Sequence, residues 1–224
     1  MKKILRRKPI FEVSFDESQI FIRRDVKFKN TGESSPLRTQ ININNLHTAY
    51  LAKNPGRKIL EISSKSESEL GRSLSAFNLM IDDEGQQRSM EVSYQASKVF
   101  ENGGPYIDLL NNSSVWAKSD KRLKQSGKVI SYLYKNKSFP IEPKTYFFNW
   151  LYVKTLASDF NKHLADQIIA YDAFTDIFYV PNKTTNCQAE AVAIYVSLRN
   201  KNLLENALKD EQSFLDIVYK QCIN

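Results

Sequence analysis

Glu91, Gln95 and Lys98 lie in the stretch "SMEVSYQASKVF" at residues 89–100. At 3.6 residues per turn, positions i, i+4 and i+7 of a helix project from one face, so a carboxylate, an amide and an amine would stand in a row. Such a row could move a proton with the carboxylate and, where the amine is desolvated, attack an electrophilic carbon with the lysine. The same spacing also suits a helix that simply turns a polar face to water, and a Glu in the first turn complements the helix dipole whether or not it does chemistry. Val92, Ala96 and Val99 would form the apolar face on either reading. The choice depends on whether the row faces solvent or a cleft.

The flanking elements have to build that cleft. "FEVSF" and "IFIRRDVKFK" alternate with period two and predict two short strands or extended arms near the N-terminus. "NINNLHTAYLAKNPG" predicts a short helix stopped by Pro-Gly, and "KILEIS" a compact strand. Ser66 and Glu69 have capping-box spacing for a turn of helix, and "RSLSAFNLMID" is expected as another strand. After the break at "ENGGPY", "NSSVWAKSDKRLKQSG" predicts one basic helix ending at Gly127, and "GKVISYLY" a strand or short helix. Pro143 is placed for the first turn of a helix through the aromatic run "YFFNWLYVKTL". "NKHLADQIIAYDAF", "NCQAEAVAIYVSL" and "FLDIVYKQC" predict further helices, with "TDIFYV" as a strand between them. The expected architecture is α+β: a single compact domain, mainly helical around a small sheet, with a basic N-terminal extension over residues 1–57 and the main domain over 58–224.

The bulk composition fits one core. The chain has 224 residues and is 42% hydrophobic, with 13 Phe and 11 Tyr but only 7 Gly and 7 Pro, too few breakers for long unstructured stretches. The opening "MKKILRRKPIFEVSF" has no apolar run long enough for a secretory signal, and no segment approaches a membrane span, so a cytoplasmic protein with no membrane partner is expected. Cys187 and Cys222 are far apart with no metal-ligand spacing, and are expected to be reduced structural thiols. No metal or cofactor is expected. Residues 1–60 hold 13 Lys and Arg against 5 Asp and Glu, which accounts for the whole net charge of +7. These clusters, among them Arg6, Arg7, Arg23 and Arg24, either guard a sheet edge or meet a phosphate-rich partner.

"LSAFNLMIDDEGQQRSMEVSYQASKVF" resembles the entry motif of NADAR proteins, in which a Glu-initiated helix carries Tyr-Gln-Ala and then a Lys before Phe. "SSVWAKSDKRLKQSG" and "AYDAFTDIFYVPNKTTNCQAEAVAIYVSL" are similar to later blocks of the family. "EISSKSESELGRSLSAFNL", "ASKVFENGGPYIDLL", "EPKTYFFNWLYVKTL" and "TTNCQAEAVAIYVSL" resemble the subfamily encoded beside DarT-type DNA ADP-ribosyltransferase toxins. The match runs over about residues 58–220. It departs from the family at Val92-Ser93, where many NADAR proteins have a His, so no role of that His carries over.

The resemblance implies an antitoxin enzyme that removes ADP-ribose from the exocyclic amino group of guanine in DNA, with ADP-ribose as product and a DarT-type toxin as possible partner. It implies Glu91 as the acid or base, Lys98 as a phosphate clamp or Schiff-base nucleophile, and Asp176, with Asp172 as its rival, to orient ribose hydroxyls or activate water. Gln95 would hold a hydroxyl, and Asn78 belongs to the same motif as a substrate contact. Lys118 and Arg122 offer charge to a pyrophosphate, and Asn186 a contact to the sugar. Phe77, Tyr94 and Trp150 are candidate platforms for the base. A non-catalytic antitoxin that binds its toxin and an N-glycosidase of small ribosylamino metabolites are the competing readings.

Overall fold

A computed structural model describes residues 4–32, 35–181 and 183–220; Cys222 lies outside the described residues. The chain begins with β1 (Ile4–Val13) and β2 (Phe21–Asn30), a ten-residue antiparallel hairpin in register from Ile4↔Asn30 to Val13↔Phe21. Its alternation buries Ile10, Val26 and Phe28 against Ile43, Leu46 and Tyr50 of helix α1 (Pro36–Leu51). Ser35 caps α1, its hydroxyl accepting from the Arg38 amide, and Pro36 follows at the first helical position. β3 is Ile59–Glu61, and much later β9 (Ala173–Thr175) inserts between β3 and β1. The resulting four-stranded sheet has the order β2-β1-β9-β3, with β3 and β9 parallel.

Between β3 and β9 come α2 (Glu69–Ser73), β4 (Met80–Asp83), β5 (Gln86–Ser89), α3 (Met90–Ala96) and β6 (Lys98–Phe100). These are followed by α4 (Ser114–Ser119), α5 (Arg122–Gln125), β7 (Val129–Tyr134), β8 (Lys137–Phe139), α6 (Tyr146–Leu156) and α7 (Lys162–Ile168). β4 and β5 form one small sheet and β6-β7-β8 another. Past β9, α8 (Gln188–Asn200) is mostly apolar and, apart from half-buried Glu190, buried from Ala189 to Leu198. It packs on α6 and on the sheet face opposite α1, as a helix without a polar stripe must. α9 (Leu204–Leu208) and α10 (Glu211–Leu215) follow, α10 running into a wider helical turn over Asp216–Lys220, and Cys187 is a buried free thiol. The whole is a single compact α+β domain. No helix among the described residues is long and apolar enough to cross a membrane.

Several local expectations are corrected. The described residues form three small sheets rather than one. The capping box does not form: Ser68 rather than Ser66 precedes α2, and Ser66 is instead packed against Gly71, where a Cβ would come within 2.1 Å of the Glu61 carbonyl. Of "RSLSAFNLMID", only Met80 onward is strand; Leu74–Asn78 turn tightly, with the Asn78 and Leu79 amides both donating to Ser75 O. The basic helix breaks at Asp120, which leaves the helical region (φ −56°, ψ 128°) and accepts the Arg122 amide on its own carboxylate. α6 starts at Tyr146, so Pro143 stands in the turn before it. "TDIFYV" is strand only through Thr175, and α8 starts at Gln188, two residues after Asn186.

Candidate functional site

The parallel strands β3 and β9 end at Glu61 and Thr175, and the chain beyond those carboxyl ends opens into a cleft of about 560 Å³. Open sheets bind ligands at that end because the strands stop while the following loops splay apart. One wall is α3. Ser89 caps it by accepting from the Val92 amide, and the Met90 and Glu91 amides donate to Leu79 O and Ala76 O, pinning the helix start to the turn that carries Phe77. Glu91 and Gln95 are both 5% exposed. The polar row therefore lines a cleft, and the wet-face reading of this helix is excluded.

The helix does not run on to Lys98. Ser97 terminates it, its hydroxyl donating to Ser93 O, while its carbonyl accepts the Leu133 amide and starts the β6–β7 pairing. Strand pairing overrides local helical propensity here. Lys98 nevertheless reaches back into the row: its Nζ donates to Gln95 Oε1 at 2.8 Å, and Gln95 Nε2 donates to Glu91 Oε1 at 2.8 Å. Lys118 from α4 approaches from the mouth, with Nζ 3.4 Å from Glu91 Oε1 and 4.7 Å from the centre of the Phe77 ring. Lys98 lies 4.7 Å from the centre of the Tyr94 ring. Burial pushes the Lys98 ammonium down to about 8; Glu91 opposes that shift and Lys118 adds to it.

The facing wall is built by the loop after β9. Asp176 is buried; its carboxylate accepts the Phe178 amide at 3.0 Å and Gln188 Nε2 at 3.2 Å. Behind it Glu61 accepts the Thr175 hydroxyl at 2.6 Å and the Ile177 amide at 2.8 Å, and His47 Nε2 meets that hydroxyl at 2.8 Å. Burial and the neighbouring Asp176 push the Glu61 carboxyl up to about 7, and burial raises Asp176 as well. Lys8 of β1 donates to the carbonyls of Ile177 and Tyr179, tying the hairpin to this loop.

The cleft thus gathers Glu91, Lys98, Asp176, Phe77, Tyr94, Gln95, Lys118 and Asn186, whose Oδ1 is buried without a partner. Four sequence candidates lie elsewhere. Trp150 is 2% exposed and packs on Phe139 and Phe147, so it is core rather than platform. The Arg122 guanidinium is held by Asp108 (2.6 Å) and Asp120 (2.9 Å), outside the cleft. Asn78 donates to Arg72 O at 2.8 Å and lines a separate groove with Glu69 and Arg72. Tyr94 is cleft-lining but not free for a base: its ring is held among Tyr132, Phe147 and Phe148, and its hydroxyl meets that of Tyr132. Asp172, the rival of Asp176, accepts the Lys58 amide and pairs with Arg57 away from the cleft.

Among the residues that the sequence reading missed, Phe178 and Gln188 line the cleft and Glu61 stands behind its wall. Phe178, 51% exposed on the rim, was hidden inside an expected strand. Gln188 bridges the two walls, taking the Ala76 amide on Oε1 and donating to Asp176, and its position two residues after Asn186 was the available signal. Glu61 had no signal beyond being a carboxylate in a strand.

The cleft of this α+β domain thus gathers a desolvated lysine and the buried carboxyls of Glu91 and Asp176. The model of the family described as DarT1-associated NADAR antitoxin matches residues 6–224, nearly the whole chain, and the protein belongs to that family. It is accordingly an antitoxin associated with a DarT1 toxin, of a generally glycohydrolase-like family. No curated protein matches the chain.

Proposed function

We propose that this antitoxin hydrolyses the bond between C1 of ADP-ribose and the exocyclic amino nitrogen of guanine in DNA, reversing the toxin's modification. The observation that carries the reading is the hydrogen-bonded row from Lys98 through Gln95 to Glu91 on the wall of a cleft. A lysine whose ammonium is lowered to about 8 has a usable neutral fraction near physiological pH, which an exposed lysine lacks.

The glycosylamine opens first: the bond from C1 to the ring oxygen breaks, that oxygen takes a proton, and the nitrogen lone pair forms an iminium at C1. Neutral Lys98 adds to C1. Glu91 takes a proton from the attacking nitrogen and delivers one to the guanine nitrogen, which departs as the free amine and leaves a Schiff base on Lys98. Water adds to C1, lysine departs, and the sugar recloses as ADP-ribose. One water is consumed and no oxidant or reductant is needed. Gln95 fixes the separation of the two reacting side chains, and Lys118 offers charge to the pyrophosphate at the mouth. Asp176 and the free acceptor of Asn186 suit ribose hydroxyls. Phe178, exposed at the rim, is the base platform in place of Trp150.

The test is incubation of catalytic amounts of protein with a guanine-ADP-ribosylated oligonucleotide, following free ADP-ribose. Multiple turnovers are expected. Protection that requires stoichiometric toxin binding, with no ADP-ribose released, would reject the enzyme; turnover of a free ribosylamine in preference to DNA would transfer it to a small-molecule substrate.

A further inference from the structure

The exposed face of the β1–β2 hairpin is not used by the chemistry above. Along β2, Val26, Phe28 and Asn30 are buried toward α1, while Arg23, Asp25, Lys27 and Lys29 alternate with them and are exposed. The register puts exposed Arg7 of β1 directly opposite Lys27. Side chains on one face of a strand are spaced by about 7 Å, so Arg23 to Lys29 covers about 20 Å. Asp25, 3.5 Å from Arg23, is the single acid in that row of β2. Arg24 is on the other face, bonded to Glu12 at 2.6 Å, and does not belong to the stripe.

The stripe leads to the cleft. Phe11, opposite Arg23 in the ladder, packs its ring on Tyr179, which lines the cleft beside Phe178. The Lys8 ammonium is bonded to the Ile177 and Tyr179 carbonyls, so hairpin and cleft wall are mechanically one piece. A row of cations on a stiff ribbon, continuous with an aromatic rim, matches a polyanionic strand with unstacked bases.

We infer that the exposed face of the β1–β2 hairpin is a nucleic-acid track, on which Arg7, Arg23 and Lys27 contact the backbone of the DNA strand that runs away from the modified guanine. The inference rests on the proposed DNA substrate for its biological sense, but the affinity for unmodified single strand tests it separately from the chemistry.

The variant is the full chain with Arg7→Ser, Arg23→Ser and Lys27→Ser, compared with the unaltered protein for binding to an unmodified single-stranded oligonucleotide across a salt series. Affinity is expected to fall by about tenfold, and the slope of log affinity against log salt to flatten by about 2, three contacts at about 0.7 each. On a modified oligonucleotide KM should rise by a similar factor with kcat unchanged, while ADP-ribosyl-guanosine is turned over as before. Unchanged oligonucleotide affinity and salt slope would overturn the track, as would an equal loss on the mononucleoside. Intact DNA affinity with lost binding to the cognate toxin would also overturn it, assigning the stripe to a protein partner. If the unaltered protein releases no ADP-ribose from either substrate, the proposed chemistry falls, and the salt series still decides the track.

Discussion

The two walls of the cleft present the same functional group in opposite surroundings. On the α3 wall, the carboxylate of Glu91 is flanked by an amide and by the ammonium of Lys118 at 3.4 Å, with Lys98 next along the row. On the wall after β9, Asp176 is backed by a second carboxyl, Glu61, in a fully buried position where both are pushed upward. Burial beside another acid favours a carboxyl that holds its proton. On the proposed chemistry, the first wall exchanges protons with nitrogen, while the second presents a fixed polar edge to sugar hydroxyls.

The largest effect is expected at Lys98. Lys98→Arg keeps the charge but cannot form a Schiff base, so activity should drop to near background, and borohydride during turnover should trap an adduct on Lys98 in the unaltered protein by mass spectrometry. The rate should climb with pH toward about 8 and then level, because the ammonium must lose its proton before attack. Substantial Lys98→Arg activity without an adduct would hand the attack to water.

Glu91→Gln comes next. It preserves shape and the contact with Gln95 while removing the proton carrier, and release should slow by at least about two orders of magnitude. A near-normal rate with folding intact would remove Glu91 from the chemistry.

The aromatic residues of rim and core should respond in opposite ways. Phe178→Ala should weaken substrate by about 1–3 kcal/mol, seen as a higher KM, with the melting temperature little moved. Trp150→Ala should do the reverse, costing about 3–5 kcal/mol of stability by leaving a cavity beside Phe139 and Phe147. Denaturant melts and KM values on both variants tell the roles apart.

The smallest expected effect concerns Glu61. Its folded-state value of about 7 lies above the ordinary 4.5, so the folded protein retains a proton that the unfolded chain has lost. The associated stability is fully present below the ordinary value and is lost as pH rises through about 7. Melting temperature should therefore decline from pH 5 to 7, and Glu61→Gln should flatten that decline. An unaltered slope would place the titration on another group.

The helix carrying Glu91 and Gln95, the hairpin's alternation and the buried aromatic run were legible because each is a local pattern: capping by Ser89, period-two burial in β2, and a continuous apolar stretch in α6. Glu91, Gln95, Lys98, Asp176 and Asn186 were named from ordered sequence blocks, and the fold draws all of them to one cleft. What local pattern does not contain is the partner a side chain meets. Arg122 and Lys118 are neighbours in one basic segment, yet a break at Asp120 turns the first to two aspartates and leaves the second beside Glu91. Trp150 and Phe178 are both aromatic, and only the packing of β7, β8 and α6 buries the one while the loop after β9 exposes the other. The Glu61 carboxyl is pushed up first by burial and then by Asp176, 115 positions away along the chain, because parallel pairing of β3 with β9 brings the strand ends together. Charge and period belong to the sequence; desolvation and proximity arise when distant strands close, and those two set the chemistry of this cleft.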